Sequence, residues 1–301
     1  MNQPPPYPEI SIVTCFLNVE QYLEEAIESV IRQRYQQWEL LLMDDGSMDQ
    51  STLLAKKYEA LYPDKIVYLE HPGHVNKGLS ASRNVAIAKS RGRLIAFLDA
   101  DDVLLPDMLQ QQLQLLEQHG AAMVCEASEY WHDWNDKQKP NVVIPIGTRP
   151  DHLYSPPVLA LNLYPLGSGA APCPCSILVH KEALLRHGGF EEEFPGMYED
   201  QAFLIKFYLH EKVYISSGCH NRYRQRPDSL LNSSHREGNY LRERTKFMAW
   251  LGHYLSKQSA VHPQVSKAFR RNISALNKPE SANAAQVFWS RIKTQLKRII
   301  S

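Results

Sequence analysis

The sequence predicts an α/β fold, with a mostly parallel central sheet flanked by helices and a helical C-terminal tail. Short apolar runs alternate with amphipathic stretches through the first 130 residues. The amphipathic stretches have the length of crossover helices, about 10–15 residues, which join strands as parallel neighbours. Two of the apolar runs stop abruptly in aspartate clusters, Asp44-Asp45 and Asp99-Ala100-Asp101-Asp102.

Ile10 to Cys15 reads as a buried strand. Between Glu20 and Arg34, Tyr22, Leu23, Ala26, Ile27, Val30 and Ile31 recur at the spacing of one helix face. Glu39 to Met43 is a second strand, Asp49 to Leu61 a helix and Lys65 to Leu69 a third strand. Ser80 to Ser90 is helical, and Arg93 to Leu98 is a fourth strand. Pro106 suits the first turn of a helix running to about His119, and Ala121 to Ala127 is a fifth strand. Beyond residue 130 the rhythm breaks. Trp131 to Pro157 is polar, proline-containing and irregular. Cys175 to His180 and Lys212 to Ser216 stand as isolated strands, and helix dominates from Asn239 onward.

The chain has 301 residues, enough for one large α/β domain with an appendage or for two small domains. Its 44% hydrophobic and 22% charged residues are globular proportions, which argues against disorder or coiled coil as the main state. Lys+Arg and Asp+Glu balance at 33 each, without the cationic excess of a generic nucleic-acid binder. No apolar run reaches the length of a membrane span. Met1 to Pro8 is polar and proline-rich rather than a signal peptide. Five scattered cysteines suit reduced thiols in a cytoplasmic setting.

In open α/β sheets, ligands bind at the carboxyl ends of the strands, where both aspartate clusters fall. Several carboxylates together need a cation or hydrogen-bond donors to stay ionised. Oxygen-rich sites of this kind suit Mg²⁺ or Mn²⁺, held by one or two carboxylates with substrate phosphates. A plain Asp-Gly turn at Asp45-Gly46 and helix-capping acids at 99–102 are the structural alternatives.

Five blocks in this order resemble one family. They are Ser11-Ile-Val-Thr-Cys-Phe-Leu-Asn18 with Tyr22-Leu23, Ala26-Ile27 and Ser29-Val30; Glu39-Leu-Leu-Leu-Met-Asp-Asp-Gly-Ser-Met-Asp49; Asn76-Lys-Gly-Leu-Ser-Ala-Ser-Arg83-Asn84; Phe97-Leu-Asp-Ala-Asp-Asp102; and Met197-Tyr-Glu-Asp200 with Phe203-Leu204. Over about residues 9–230 the chain resembles the family-two glycosyltransferases, inverting enzymes of the Rossmann-like GT-A fold with a DxD motif.

The resemblance implies a nucleotide-sugar donor, UDP-linked by family habit, and a divalent metal, Mn²⁺ or Mg²⁺. Asp45 would hydrogen-bond the base, and the loop of Cys15, Phe16 and Asn18 would help enclose it. Cys15 stands where Pro or Thr is common, and Phe16-Leu17 where Thr-Tyr is common. Arg83 would approach the diphosphate, Asp99 the ribose or the metal, and Asp101 would coordinate the metal directly. In the Glu199-Asp200 motif, Glu199 lines the donor site and Asp200 is the general base, taking the proton of the attacking hydroxyl. The same two acids would also stabilise a helix start. The Tyr223-Arg-Gln-Arg-Pro-Asp-Ser229 block resembles a terminal block in which a His commonly stands where Arg226 does here. The acceptor would be a growing polysaccharide, a lipid-linked glycan or another glycoconjugate.

Residues 284–301 carry Arg291, Lys293, Lys297 and Arg298 and no acid, with Phe288, Ile292, Leu296 and Ile299 at helical spacing. Two destinations are open to such a helix. One is an anionic membrane interface, which would make the protein peripheral at the inner face of the cell membrane. The other is its own domain or a twin subunit, which would make a homo-oligomer.

Rival readings are weaker. Leu94 to Val103 also fits the nucleophile motif of haloacid-dehalogenase-like phosphatases, with Asp99 as nucleophile, but that motif normally opens its domain. A nucleotidyltransferase needs a glycine-rich N-terminal loop, and residues 11–20 contain no Gly. A catalytically silent sugar-nucleotide-binding scaffold would not need Asp99, Asp101 and Asp200 intact. The expected organisation is a flexible stretch 1–8, a GT-A domain 9–235 with a nucleotide-sugar half (9–130) and an acceptor half (131–235), and a helical extension 236–301.

Overall fold

The structure is a computed structural model describing residues 8–227 and 239–276. Residues 1–7, the end of the Tyr223–Ser229 block and the basic amphipathic segment 284–301 lie outside the described residues. The chain divides into two compact units, Met1–Leu230 and Leu231–Ser301.

In the first unit the predicted alternation is present as β1 (Ile10–Phe16), α1 (Leu23–Ile31), β2 (Trp38–Asp44), α2 (Ser51–Leu61), β3 (Ile66–Glu70), α3 (Leu79–Lys89) and β4 (Leu94–Phe97). Then come β5 (Val103–Leu104), α4 (Met108–His119), β6 (Met123–Cys125), β7 (Ser128–Trp131), β8 (Val142–Ile144), β9 (His152–Tyr154) and α5 (Val158–Asn162). β10 (Ile177–His180), α6 (Lys181–Arg186), α7 (Glu199–His210), β11 (Val213–Ile215) and β12 (Asn221–Arg224) complete it. The second unit holds α8 (Tyr240–Ser256) and α9 (Pro263–Leu276).

An eight-stranded sheet runs β3-β2-β1-β4-β10-β6-β11-β9. β1 pairs in parallel with both β2 and β4, and β2 with β3. β10 enters antiparallel between β4 and β6. β1 and β2 are buried along almost their whole length, as strands covered on both faces must be. One face packs Ile10, Ile12, Phe16, Leu40, Leu42, Leu94 and Ala96 with Leu23, Ala26, Ile27 and Val30 of α1 and Met108, Leu109, Leu113 and Leu116 of α4.

A second sheet, β5-β12-β7-β8, was not predicted. Its strands span two to four residues, too short to display a two-residue period. The fifth predicted strand, Ala121 to Ala127, is the shorter β6, and β8 and β9 occupy the stretch expected to be irregular. The small sheet matters because β5 directly follows the second aspartate cluster and β12 brings Arg224 to it.

Candidate active site

β1, β2 and β4 are parallel neighbours, so their carboxyl ends open on one crevice. β2 leaves the sheet at Asp44, whose Oδ1 accepts the N–H groups of Gly46 (3.1 Å) and Ser47 (2.8 Å). The turn requires Gly46: its φ is +88°, and a Cβ there would lie 2.9 Å from the Asn76 nitrogen.

Asp45 follows. Its N–H donates to the Phe16 carbonyl at 2.9 Å. Its carboxylate accepts the N–H groups of Lys77 (2.7 Å) and Gly78 (3.0 Å), and His71 Nε2 lies 3.6 Å away. Asp45 therefore binds the loop before α3 to the end of β2, with one lone pair left on each oxygen for a further donor.

The loop after β1 divides its residues. Phe16 belongs to the core, so its ring is not presented to the crevice, whereas Leu17 is exposed. The Cys15 thiol is pushed up to about 12, by burial first and against the pull of Arg83, so it stays neutral and unreactive. Asn18 adopts φ +52°; its Oδ1 accepts the Met48 N–H at 2.7 Å and its own N–H donates to Ser47 Oγ at 3.1 Å. This side chain splices the β1 and β2 loops.

Arg83, on α3, is only 3% exposed, so it is not a solvated helix arginine. One guanidinium arm donates to Asp99 Oδ1 at 2.8 Å and the other to Glu199 Oε1 at 3.4 Å. Its Cζ lies 5.0 Å from the Phe190 ring centroid. A residue after β4 and one at the start of α7 thus meet on one buried cation.

Asp101 and Asp102 follow in a turn closed by the Asp102 N–H on the Asp99 carbonyl at 3.0 Å. Burial and the neighbouring charge of Asp99 raise the Asp101 carboxyl above its ordinary range, with Arg226 opposing. Arg226 Nε lies 2.8 Å from Asp101 Oδ2. Asp102 is fully buried, with Oδ1 accepting the Arg224 N–H at 2.8 Å. Desolvation, then the charges of Asp101 and Asp99, push its carboxyl well up. Arg224 donates from Nε to the Asp101 carbonyl (2.6 Å) and pairs with Glu25 (2.6 Å). It lies 4.2 Å from the Trp131 ring centroid, 5.0 Å from that of Trp134 and 5.1 Å from that of Tyr22.

α7 begins after Tyr198, which adopts φ +69°. Glu199 is held above its ordinary 4.5, at about 8, by burial and then by the charge of Asp200, against Arg83. Asp200 is raised too, mainly by burial; Gln201 donates its N–H to one oxygen (2.7 Å) and its side-chain amide to the other (3.1 Å). Cys15 feels the charges of Arg83, Asp99 and Asp45, and Arg83 those of Asp99, Glu199 and Asp200. These groups are electrostatically one site.

Residues 11–190 match the family model described as Glycosyl transferase family 2. The chain belongs to glycosyl transferase family 2. EpsE of Bacillus subtilis, which bears a glycosyltransferase name, is 39% identical over 112 residues, 37% of this chain and 40% of EpsE. The minor teichoic acid biosynthesis protein GgaB of Bacillus subtilis is 30% identical over 155 residues, 48% of this chain and 17% of GgaB. The chain thus spans less than half the length of these curated relatives. The crystal structure of S. aureus TarS 1-349 in complex with UDP-GlcNAc is similar at TM-score 0.66 and 19% identity, covering 88% of this chain and 71% of that one. The mannosyltransferase PcManGT from Pyrobaculum calidifontis in complex with GDP-Man and Mn²⁺ is similar at TM-score 0.61 and 14% identity, covering 98% and 81%. The family-2 chain accordingly has the GT-A fold.

Glu199, Asp200, Arg224 and Arg226 lie beyond the matched stretch. Among the described residues no three Asp, Glu, His or Cys side chains gather to hold a metal by themselves. Asp99 and Asp101 nevertheless fit a divalent cation completed by substrate phosphates. They offer hard oxygen donors, and the charge of Asp99 that burdens Asp101 is what a cation relieves. No helix among the described residues is long and apolar enough to cross a membrane.

Sequence reasoning missed the clamp of Arg224 on Asp102 and Glu25, and His71 beside Asp45. For Arg224 a signal existed: Arg222, Arg224 and Arg226 alternate at a strand-like period of two.

Proposed function

We propose that this chain is a glycosyltransferase that moves a sugar, with inversion, from a nucleotide-sugar donor to a hydroxyl acceptor in one displacement. The observation that carries the reading is the Arg83 bridge, because it draws Asp99 of the DxD motif and Glu199 of the Glu-Asp motif onto one guanidinium. Family membership and the fold support it as well.

The roles follow from the arrangement. The ends of β1 and β2 hold the nucleoside, with Asp45 and the Cys15–Asn18 loop beside the base. Arg83 keeps positive charge where the donor diphosphate lies and fixes Asp99. Asp200 accepts the proton of the acceptor hydroxyl as its oxygen bonds to the anomeric carbon and the bond to the diphosphate breaks. Its raised basicity suits that task, since a carboxylate in its ordinary range is a weak base at neutral pH. Asp101 and Asp99 would hold a divalent cation, which when bound would neutralise charge on the departing diphosphate.

UDP is the nucleotide we assign, supported by the UDP and UDP-GlcNAc complexes of the similar TarS structures. A carbohydrate or glycolipid surface polymer suits as acceptor, as GgaB is a teichoic acid biosynthesis protein. Thermal shift with UDP-, GDP- and TDP-sugars, each with and without Mn²⁺, tests the donor. Stabilisation by a UDP-sugar that requires Mn²⁺ supports the assignment, and stabilisation by none of the three overturns it.

A further inference from the structure

Asp101 does not face the crevice alone. Arg226 Nε sits 2.8 Å from its Oδ2, with the two side chains 19% and 20% exposed. Arg226 also lies over the Tyr22 ring, 5.0 Å from its centroid. Arg224 is fixed by Glu25, by the Asp101 carbonyl and by the Trp131 ring. Arg226 stands two residues past the end of β12, on the far side of the last strand residue that the small sheet holds.

A guanidinium on a carboxylate oxygen places positive charge beside any cation on the same group, and like charges a few ångströms apart repel even in a partly solvated cleft. A diphosphate offers a guanidinium an alternative partner with matching fork geometry. We propose that Arg226 competes with the divalent cation for Asp101, holding the carboxylate while the site is empty of donor and releasing it when a diphosphate takes the guanidinium. This rests on the reading of Asp99 and Asp101 as cation ligands. Its consequence is that the cation binds weakly to the chain alone and tightly beside a nucleoside diphosphate. Each ligand strengthens the other by the same factor.

Mn²⁺ binding to the full chain, read from the electron paramagnetic resonance of the free ion with and without UDP, tests this. Without UDP, Arg226→Gln binds Mn²⁺ about tenfold more tightly than the parent, within the usual span of coupling effects. UDP strengthens Mn²⁺ binding in the parent by at least about fivefold and by less in the variant. Arg226→Lys, which keeps the charge, stays close to the parent. Equal or weaker Mn²⁺ binding by a folded Arg226→Gln overturns the competition, as does a Lys variant that behaves like the Gln variant. Equal binding to all three leaves the cation site standing and removes only the competition. No Mn²⁺ binding to any of them, even with UDP, removes the cation site and the competition together.

Discussion

Arg83 donates to Asp99 Oδ1 at 2.8 Å from a position almost fully withdrawn from solvent. The same guanidinium reaches Glu199, so the carboxyl groups of two separate motifs meet on one buried cation. Removing one partner of such a pair leaves uncompensated buried charge, which typically costs about 3–5 kcal/mol. Arg83→Met is therefore expected to lower unfolding free energy by a few kcal/mol, and Arg83→Lys by less. Urea denaturation of the three chains checks this; an Arg83→Met chain as stable as the parent contradicts the bridge.

Glu199 gives the fold a pH dependence of known sign. Its carboxyl is raised from the ordinary 4.5 to about 8 in the folded chain, by burial and then by Asp200. Between those values the folded chain keeps a proton that the unfolded chain has released. Stability is therefore greatest below the unfolded value and falls as pH rises toward 8, by up to about 1.4 kcal/mol per pH unit. Glu199→Gln, neutral in both states, flattens that decline. Urea midpoints at pH 5, 6.5 and 8 read the difference, and parallel curves for parent and variant would refute the assignment.

Asp200→Asn keeps the shape and one oxygen to accept the Gln201 N–H but cannot accept the hydroxyl proton. Transfer is expected to fall by at least about 10²-fold, with UDP binding retained. Single-turnover transfer from labelled UDP-sugar measures the first quantity and calorimetry the second. A variant that transfers at the parental rate removes Asp200 from the role of base.

Gly46→Ala places a Cβ 2.9 Å from the Asn76 nitrogen on a backbone at φ +88°. Left-handed strain and backbone crowding together predict a loss of at least about 1 kcal/mol. Because Gly46 joins Asp45 to the Ser47 loop, UDP affinity falls as well. Thermal melting with and without UDP separates the two effects, and an unchanged melting temperature would show the turn to be permissive.

Much of this was legible in the sequence because β1 to β4 are apolar runs of four to seven residues joined by helices, the first of which, α1, has a clear apolar face. The acid clusters could be placed at strand ends for the same reason. Phe16 was readable more closely than it was read: Ile10, Ile12 and Phe16 share one parity in β1, which puts its ring on the core side with them. The second sheet was not legible, since β12 pairs with β5 and β7 across long stretches of chain and each strand is too short to show a pattern. The same holds for Arg224 on Asp102, 122 residues apart, and for the Lys77 and Gly78 amides on Asp45. These are contacts of the folded chain, carried by no local spacing.

Calorimetric titration of UDP in the presence of Mn²⁺ bears most directly on the claim that Asp99 and Asp101 anchor a donor diphosphate through a cation. The parent and Asp200→Asn are expected to bind UDP with similar affinity, and Asp101→Ala to lose at least about tenfold, the 1.4 kcal/mol of one modest charge-assisted contact. UDP binding to a folded Asp101→Ala chain that matches the parent, with and without Mn²⁺, would contradict it.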